Sequence, residues 1–202
     1  MKYLIISGSH RKNSQSVKVS KWLRAQLDKK KQETSLISLE GNPYPFWDES
    51  AWDENSELSK QMDPFLKEFK DVDAIILVSP EWGGMVPAAL KNILLYLSPE
   101  EVGHKPVMLV GVSAGRGGSY PISELRMSGY KNTKMCYIPE HLIVQFVTSV
   151  MNDEDESSED KDDGYIRERA LYTLDVLAEY AKSLKEVRKS KNVWNDKFKY
   201  GM

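Results

Sequence analysis

Short apolar runs alternate with amphipathic stretches along most of the chain, and this alternation predicts five strand–helix units. The segments 4–6 and 72–78 are nearly continuous apolar runs, typical of strands that are buried on both faces of a parallel sheet. Shorter runs at 34–39, 107–112 and 141–147 predict three further strands. Strands that alternate with helices pair in parallel, so we expect an α/β sandwich of three layers.

Helical spacing of the remaining apolar residues predicts the connecting helices. They are expected at 14–30, 58–70, 88–97, 119–130 and 164–189. Pro64 interrupts the second helical pattern. Five such units favour a flavodoxin-like fold, with a doubly wound parallel sheet in the strand order 2-1-3-4-5.

The segment 41–54 is predicted to be a loop, because its prolines cannot donate hydrogen bonds to a sheet. Aromatic residues are unusually dense in it. They are Tyr44, Phe46, Trp47 and Trp52. Such a loop fits a wall over a ligand or an oligomer contact, and it fits equally a loop packed on its own side chains.

The segment 153–163 contains eight acidic residues, two serines and one lysine. Its composition predicts a solvated, mobile insertion before the last helix. A metal site is the alternative, but the acids show no defined ligand spacing.

Length and charge limit the class of protein. The 202 residues suit one domain over 1–190 and a short tail over 191–202. The formal charge is −2 with both signs interspersed, so neither a nucleic-acid partner nor a membrane surface is expected. The single cysteine, Cys136, and the lack of a signal peptide or a long apolar run favour the cytoplasm.

The loops that follow strands one, three and four are expected to share the ligand-binding edge of the sheet. The first, 9–16, joins a buried strand to a helix, whose N-terminus attracts anions. The hydroxyls of Ser9, Ser14 and Ser16 and the guanidinium of Arg11 can bind phosphate oxygens. The loop has neither Gly-x-x-x-x-Gly-Lys-Ser/Thr nor Gly-x-Gly-x-x-Gly, which favours a terminal monophosphate.

The other two loops, 80–87 and 113–118, each contain adjacent glycines, which allow a backbone to approach a flat ring closely. Trp82 and Arg116 could flank such a ring. Flavin mononucleotide (FMN) combines one terminal phosphate with a flat heterocycle, so it fits all three loops. The alternative is that both glycine pairs form only tight turns.

These motifs resemble those of the NAD(P)H-dependent FMN reductase family, which includes quinone and azo-dye reductases. Residues 8–14 resemble the family pattern Gly-Ser-x-Arg-x-x-Ser. Residues 80–92 resemble Pro-Glu-Tyr-Asn-x-x-x-Pro-x-x-Leu-Lys-Asn, and 105–107 and 113–118 resemble the elements around the third loop. The resemblance spans about residues 1–150.

The resemblance implies hydride transfer from NADPH or NADH to FMN and on to a small acceptor, which could be free flavin, a quinone or an azo compound. It also implies a homodimer or homotetramer, formed with the help of a helix that carries Leu90, Asn92 and Leu94. The expected cofactor-binding residues are Ser9, Arg11, Ser14, Gln15, Ser16, Pro80, Glu81, Trp82, Gly83, Gly84, Ser113, Gly115, Arg116, Gly117 and Gly118.

No catalytic side chain and no metal are expected, because the cofactor performs the redox chemistry. His10 is expected to be solvated, and His104, His141 and Cys136 are placed at or before strand starts, away from the site. The chain departs from the family pattern at Trp82, Gly83 and Ser16, where tyrosine, asparagine and asparagine are usual, and it has Ile-Leu-Leu-Tyr in place of Asp-Trp after Asn92. The rival interpretations are a flavodoxin-like electron carrier, a non-catalytic flavin-binding protein and a non-enzymatic scaffold whose pocket is empty.

Overall fold

The computed structural model describes residues 1–201. Its strands are β1 (Lys2–Ser7), β2 (Glu33–Ser38), β3 (Ala74–Pro80), β4 (Pro106–Val112) and β5 (Cys136–Val144). They form a single parallel sheet in the order β2-β1-β3-β4-β5, which confirms the predicted fold class and strand order.

Helices cover both faces of the sheet and give the three layers. They are α1 (Gln15–Lys29), α2 (Glu57–Lys70), α3 (Ala88–Leu95), the single turn α4 (Pro99–Val102), α5 (Ser119–Arg126) and α6 (Lys161–Lys189). One face of the sheet packs against α1 and α6 through side chains such as Trp22 and Leu177, and the other against α2, α3 and α5 through side chains such as Phe65 and Leu90. Short 3₁₀ turns occupy Glu49–Trp52, Lys191–Val193 and Asp196–Phe198.

The fifth strand begins earlier than the sequence pattern predicts. It starts at Cys136 and includes both Pro139 and His141, so placing Cys136 before the strand and His141 at its start was wrong. The strand lies at the edge of the sheet, where proline is tolerated because one side needs no hydrogen-bond donor. A register shift opposite 107–109 accommodates the proline.

Helix α2 also continues where an interruption was predicted. Pro64 lies inside it, and the helix extends unbroken to Lys70. Ser56 caps its N-terminus by accepting a hydrogen bond from the Ser59 N–H, and Met62 and Phe69 are buried in the core. Burial of this apolar face compensates for the one backbone hydrogen bond that proline removes.

The acidic segment 153–163 is not the free insertion that its composition predicts. Most of its carboxylates are exposed, but its backbone is held against α1. The carbonyl of Asp155 accepts a hydrogen bond from the indole N–H of Trp22 (3.2 Å), and that of Glu154 accepts one from Gln26 (2.9 Å). No cluster of metal-ligating side chains occurs within residues 1–201.

The predicted tail follows α6 and packs on the protein. Trp194 lies edge-on against His104, with ring centroids 5.0 Å apart, and its indole N–H donates to the carbonyl of Arg188 (2.9 Å). Residue 202 of this tail lies outside the described residues. None of the helices within 1–201 combines the length and apolar character needed to cross a membrane.

Lys105, just before β4, provides a test of the packing at the amino end of the sheet. Its ammonium donates to the carbonyls of Phe69 and Lys70 at the end of α2. Burial is the main cause that lowers the pKa of Lys105, from 10.5 to about 8. Between these two pH values the unfolded chain binds more protons than the folded one, so stability rises with pH in this window.

We therefore compare the free energy of unfolding of the wild type with that of Lys105→Met. The difference, wild type minus variant, is expected to increase by up to about 3 kcal/mol as the pH is raised from about 8 to 10.5. Urea unfolding of both proteins across this range measures the difference, and the variant cancels the titration of all other groups. A wild-type advantage that stays constant or shrinks over this range would show that Lys105 is not desolvated.

Candidate functional site

The loops at the carboxyl ends of the strands are tied to one another in the order of the sheet. The Gly8 N–H donates to the carbonyl of Val78 (2.8 Å), at the end of the neighbouring β3. The Glu81 N–H in turn donates to Val112 of β4 (3.0 Å), and the Ser113 N–H to Val144 of β5 (2.9 Å). The three loops predicted to form the site are therefore side by side at one edge.

The first loop leads into the N-terminus of α1. Ser14 caps this helix, accepting a hydrogen bond from the Val17 N–H (3.2 Å), and buried Ser9 accepts one from the Arg11 N–H (3.3 Å). Ser16 is 1% exposed, yet its hydroxyl has no hydrogen-bond partner within residues 1–201, and neither has the buried side-chain oxygen of Gln15. The side chain of Arg11 is exposed. The loop thus presents two unsatisfied polar side chains and the exposed guanidinium of Arg11 around a helix N-terminus.

Gly8 allows this loop to approach the rest of the site closely. A Cβ at this position would lie 2.7 Å from the side chain of Leu90 in α3 and 2.9 Å from the carbonyl oxygen of Val78. No other residue type fits without moving one of these neighbours.

The second loop forms a two-residue hairpin. The N–H and carbonyl groups of Trp82 pair with those of Met85, and Gly83 and Gly84 have φ values of +59° and +75°. Two successive positive φ angles are typical of a type I′ turn, which favours glycine. Glu124 on α5 fixes the next residue, because its carboxylate accepts a hydrogen bond from the Val86 N–H (2.7 Å).

Glu124 also forms an ion pair with Lys91 of α3. Although burial opposes the charge, Lys91 and the Val86 N–H hold the pKa of Glu124 below its ordinary value. The carboxylate is therefore ionised at neutral pH and keeps the hairpin anchored to α5.

Glu81 joins the second loop to the third. Its carboxylate accepts a hydrogen bond from the Gly118 N–H (2.5 Å) and leaves no room for a side chain at Gly117, where a Cβ would lie 2.9 Å from Oε1. Sequence reasoning placed Glu81 among the cofactor contacts. The structure gives its carboxylate a second role, the alignment of two glycine-containing loops.

The third loop folds back over its own strand. Gly118, at the N-terminus of α5, has a φ of +107°, and its carbonyl group lies directly above Gly111 in β4. Ser113 accepts a hydrogen bond from the Gly115 N–H (3.2 Å), whereas the space around the Cα of Gly115 is open. Arg116 is exposed, as a side chain that contacts a ligand from the rim would be.

Two residues after β5 also belong to this edge, and sequence reasoning missed both. The amide of Gln145 donates to the carbonyl of Arg116, and the Phe146 N–H donates to that of Gly115 (3.0 Å). Phe146 is half exposed and has a φ of +45°, which is rare for a bulky residue. The predicted strand extended to 147, so these positions were assigned to the sheet.

His10 lies in a loop, as expected, but it is only partly exposed rather than solvated. Its ring lies edge-on against Trp82, with centroids 4.6 Å apart and planes at 88°. Its Nδ1 atom is buried and has no hydrogen-bond partner among the described residues. The contact joins the first loop to the second by side chains as well as by backbone.

The aromatic loop 41–54 packs against α3. Asn92 accepts a hydrogen bond from the Trp47 N–H (2.8 Å) and donates to the carbonyl of Pro45 (2.7 Å). Phe46 and Trp52 remain 78% and 77% exposed. Leu90, Asn92 and Leu94, which mark the helix expected to help form an oligomer, are themselves buried within the protein, so any such contact would use the other face of this helix.

Comparison with known proteins finds a matching family and individual relatives. The sequence model of a family described as NADPH-dependent FMN reductase matches residues 1–149. An FMN-dependent NADPH-azoreductase of Staphylococcus saprophyticus is 32% identical over 128 residues, covering 63% of this chain and 68% of that protein. An NADPH azoreductase of Bacillus sp. strain OY1-2 is 30% identical over 129 residues, with the same coverage.

Solved structures with the same fold are far more distant in sequence. The flavoenzyme NAD(P)H:(acceptor) oxidoreductase FerB from Paracoccus denitrificans has a TM-score of 0.64 at 16% identity, covering 92% of this chain and 97% of that one. An azoreductase from Bacillus anthracis has a TM-score of 0.55 at 15% identity, with coverages of 92% and 99%. These likenesses establish the fold.

Proposed function

The chain belongs to the NADPH-dependent FMN reductase family, and we propose that its three loops hold FMN so that hydride from NADPH or NADH reaches a small quinone or azo compound. The match over residues 1–149 makes the protein an FMN-binding oxidoreductase that uses NAD(P)H and acts on small molecules.

The polar groups of the first loop fit the phosphate of FMN. Ser16 supports this assignment most strongly, because a fully buried hydroxyl without a partner implies a missing hydrogen-bonding group. Ser9 and Ser14 lie in the same loop, and the exposed side chain of Arg11 can close over a phosphate as a bidentate donor. Gln15 contributes a second unsatisfied side chain at the helix N-terminus.

The glycine loops fit the flavin ring. Gly84 and Gly115 have no atoms near the position of a Cβ, so a flat ligand can lie against the backbone there. Trp82 and Gly83 would line one side with Pro80, and Ser113 and Arg116 the other. Glu81 would align the two loops through Gly118, next to Gly117.

Bound FMN would supply the redox chemistry, accepting hydride from the nicotinamide and passing it to the acceptor. The protein's part is to orient the ring and to leave one face open. The half-exposed Phe146, whose N–H binds the third loop at Gly115, offers aromatic surface beside the site, which favours flat aromatic acceptors over small polar ones.

The proposal is tested with the FMN-loaded protein under anaerobic conditions. NADPH or NADH is expected to bleach the flavin absorbance, and a quinone or an azo dye is expected to restore it. Bleaching by dithionite but by neither nicotinamide would identify an electron carrier instead. A protein that gains no flavin spectrum with FMN would refute the proposal entirely.

We also propose a homodimer that forms through the outer faces of α3 and α5. Lys91 and Glu124 join these helices, and Leu95 lies one turn from Lys91, while Tyr120 and Met127 flank Glu124. All three apolar side chains are well exposed. Light scattering should report twice the chain mass for the wild type and a monomer for Leu95→Glu/Met127→Glu. A monomeric wild type would contradict the proposal.

A further inference from the structure

We propose that His10 is an additional cofactor-binding residue, whose Nδ1 hydrogen-bonds an oxygen of the ribityl phosphate chain of FMN. The inference rests on the proposed function, which places FMN across the three loops. The family pattern Gly-Ser-x-Arg leaves this position open, so the role of His10 belongs to this chain.

The backbone around His10 is well fixed. Its carbonyl accepts a hydrogen bond from the Gly41 N–H (3.0 Å), and its neighbour Ser9 is buried. The Asn13 N–H, further along the loop, donates to Glu40 (3.2 Å). The first loop is thereby tied to the turn that follows β2, at the start of the 41–54 loop, and the backbone of His10 is held between β1 and this turn.

The ring of His10 connects the two ends of the expected ligand. Its backbone belongs to the phosphate-binding loop, and its ring packs edge-on against Trp82 of the ring-lining hairpin, with centroids 4.6 Å apart. A ligand with its phosphate at the N-terminus of α1 and its flat ring at the hairpin must run between these two places. The imidazole is thus beside the part of FMN that carries the ribityl hydroxyls and the phosphate ester.

The unsatisfied Nδ1 atom indicates that this side chain has a partner in the loaded protein. Buried polar atoms without a hydrogen bond are rare, because each costs about 1 to 3 kcal/mol. Within residues 1–201, three of seven such side-chain atoms fall in the first loop and the first turn of α1. They are His10 Nδ1, Gln15 Oε1 and Ser16 Oγ. One ligand that carries several oxygens and hydroxyls would satisfy all three.

The test compares two substitutions at His10, which separate the contribution of the Nδ1 hydrogen bond from that of the aromatic contact with Trp82. His10→Phe keeps an aromatic ring against Trp82 and removes Nδ1, whereas His10→Asn puts an amide near the position of Nδ1 and removes the ring. Dissociation constants for FMN are measured by quenching of flavin fluorescence with the flavin-free, full-length protein. Thermal unfolding of each variant verifies that it is folded.

We expect His10→Phe to raise the dissociation constant for FMN about tenfold, and His10→Asn to stay within about threefold of the wild type. His104→Phe is the matched control, because His104 also packs edge-on against a tryptophan and has an unpartnered buried Nε2, but precedes β4 at the opposite edge of the sheet. This control should bind FMN as the wild type does.

Riboflavin, which lacks the phosphate, shows whether the oxygen that binds His10 Nδ1 belongs to the ribityl chain or to the phosphate. An equal loss for FMN and riboflavin in His10→Phe assigns the contact to a ribityl hydroxyl, and a loss for FMN alone assigns it to the phosphate. Wild-type affinity in a folded His10→Phe, or a His10→Asn as weak as His10→Phe, would overturn the inference while leaving the proposed function intact. A wild type that binds no FMN would overturn both.

Discussion

Replacing Gly111 by alanine is expected to weaken FMN binding at least a hundredfold and to lower the free energy of unfolding by about 3 kcal/mol. A Cβ at Gly111 would overlap the carbonyl oxygen of Gly118 and lie 2.9 Å from its carbonyl carbon. Both are backbone atoms, so no side-chain rotation can relieve the overlap. The third loop must move away from β4, and the hydrogen bond from the Gly118 N–H to Glu81 is lost with it.

For stability, Gly115→Ala is the matched control in the same loop, because a Cβ there meets no protein atom within 4 Å. It should leave stability within about 0.5 kcal/mol of the wild type. Fluorescence titration with FMN and urea unfolding measure both effects. If Gly111→Ala bound FMN as tightly as the wild type, the third loop would not be part of the cofactor site.

Replacing Arg167 by methionine is expected to lower the free energy of unfolding by about 3 to 5 kcal/mol. The side chain of Arg167 is 1% exposed and pairs with both carboxylate oxygens of Asp163, at 3.0 and 2.8 Å. It also donates to Asp153 (2.6 Å) and to the carbonyl of Asp155 (2.5 Å). Its removal would leave the buried carboxylate of Asp163 without a counter-ion and release the acidic segment from α1.

Urea unfolding at neutral pH measures this loss, with Arg169→Met as the control. Arg169 lies in the same helix and pairs with Glu140 at the surface, so its replacement should cost no more than about 1 kcal/mol. Adding Asp163→Leu to Arg167→Met should recover part of the loss, since no unpaired charge then remains buried. Equal losses for the two arginines would mean that burial adds nothing to the Arg167 ion pairs.

The sheet was predictable because its signals are local. Apolar runs at 4–6 and 72–78 and the glycines of the loops are visible within a few residues. The start of β5 was missed because Pro139 is a strand breaker in a central strand but not at an edge, and a sequence does not state which strand is the edge. The continuation of α2 through Pro64 likewise depends on the core that buries Met62.

The composition of the site was predictable, but the contacts within it were not. Ser9 and Arg11 were found from the loop in which they occur. The contact of His10 with Trp82 and the bond between Glu81 and Gly118 join residues that are 72 and 37 positions apart. Such contacts follow from the packing of the loops, and no short motif encodes them. The arginine that anchors the acidic segment was missed for the same reason, since its partners are gathered from a turn and a helix.

All of the functional proposals depend on a phosphate held by the first loop. The affinities of the flavin-free protein for FMN and for riboflavin test this point, because the two ligands differ only in the phosphate. We expect FMN to bind about a hundredfold more tightly than riboflavin, and Ser9→Ala/Arg11→Ala to reduce this ratio below about tenfold. Equal affinity of the wild type for the two flavins would contradict the assignment of the first loop.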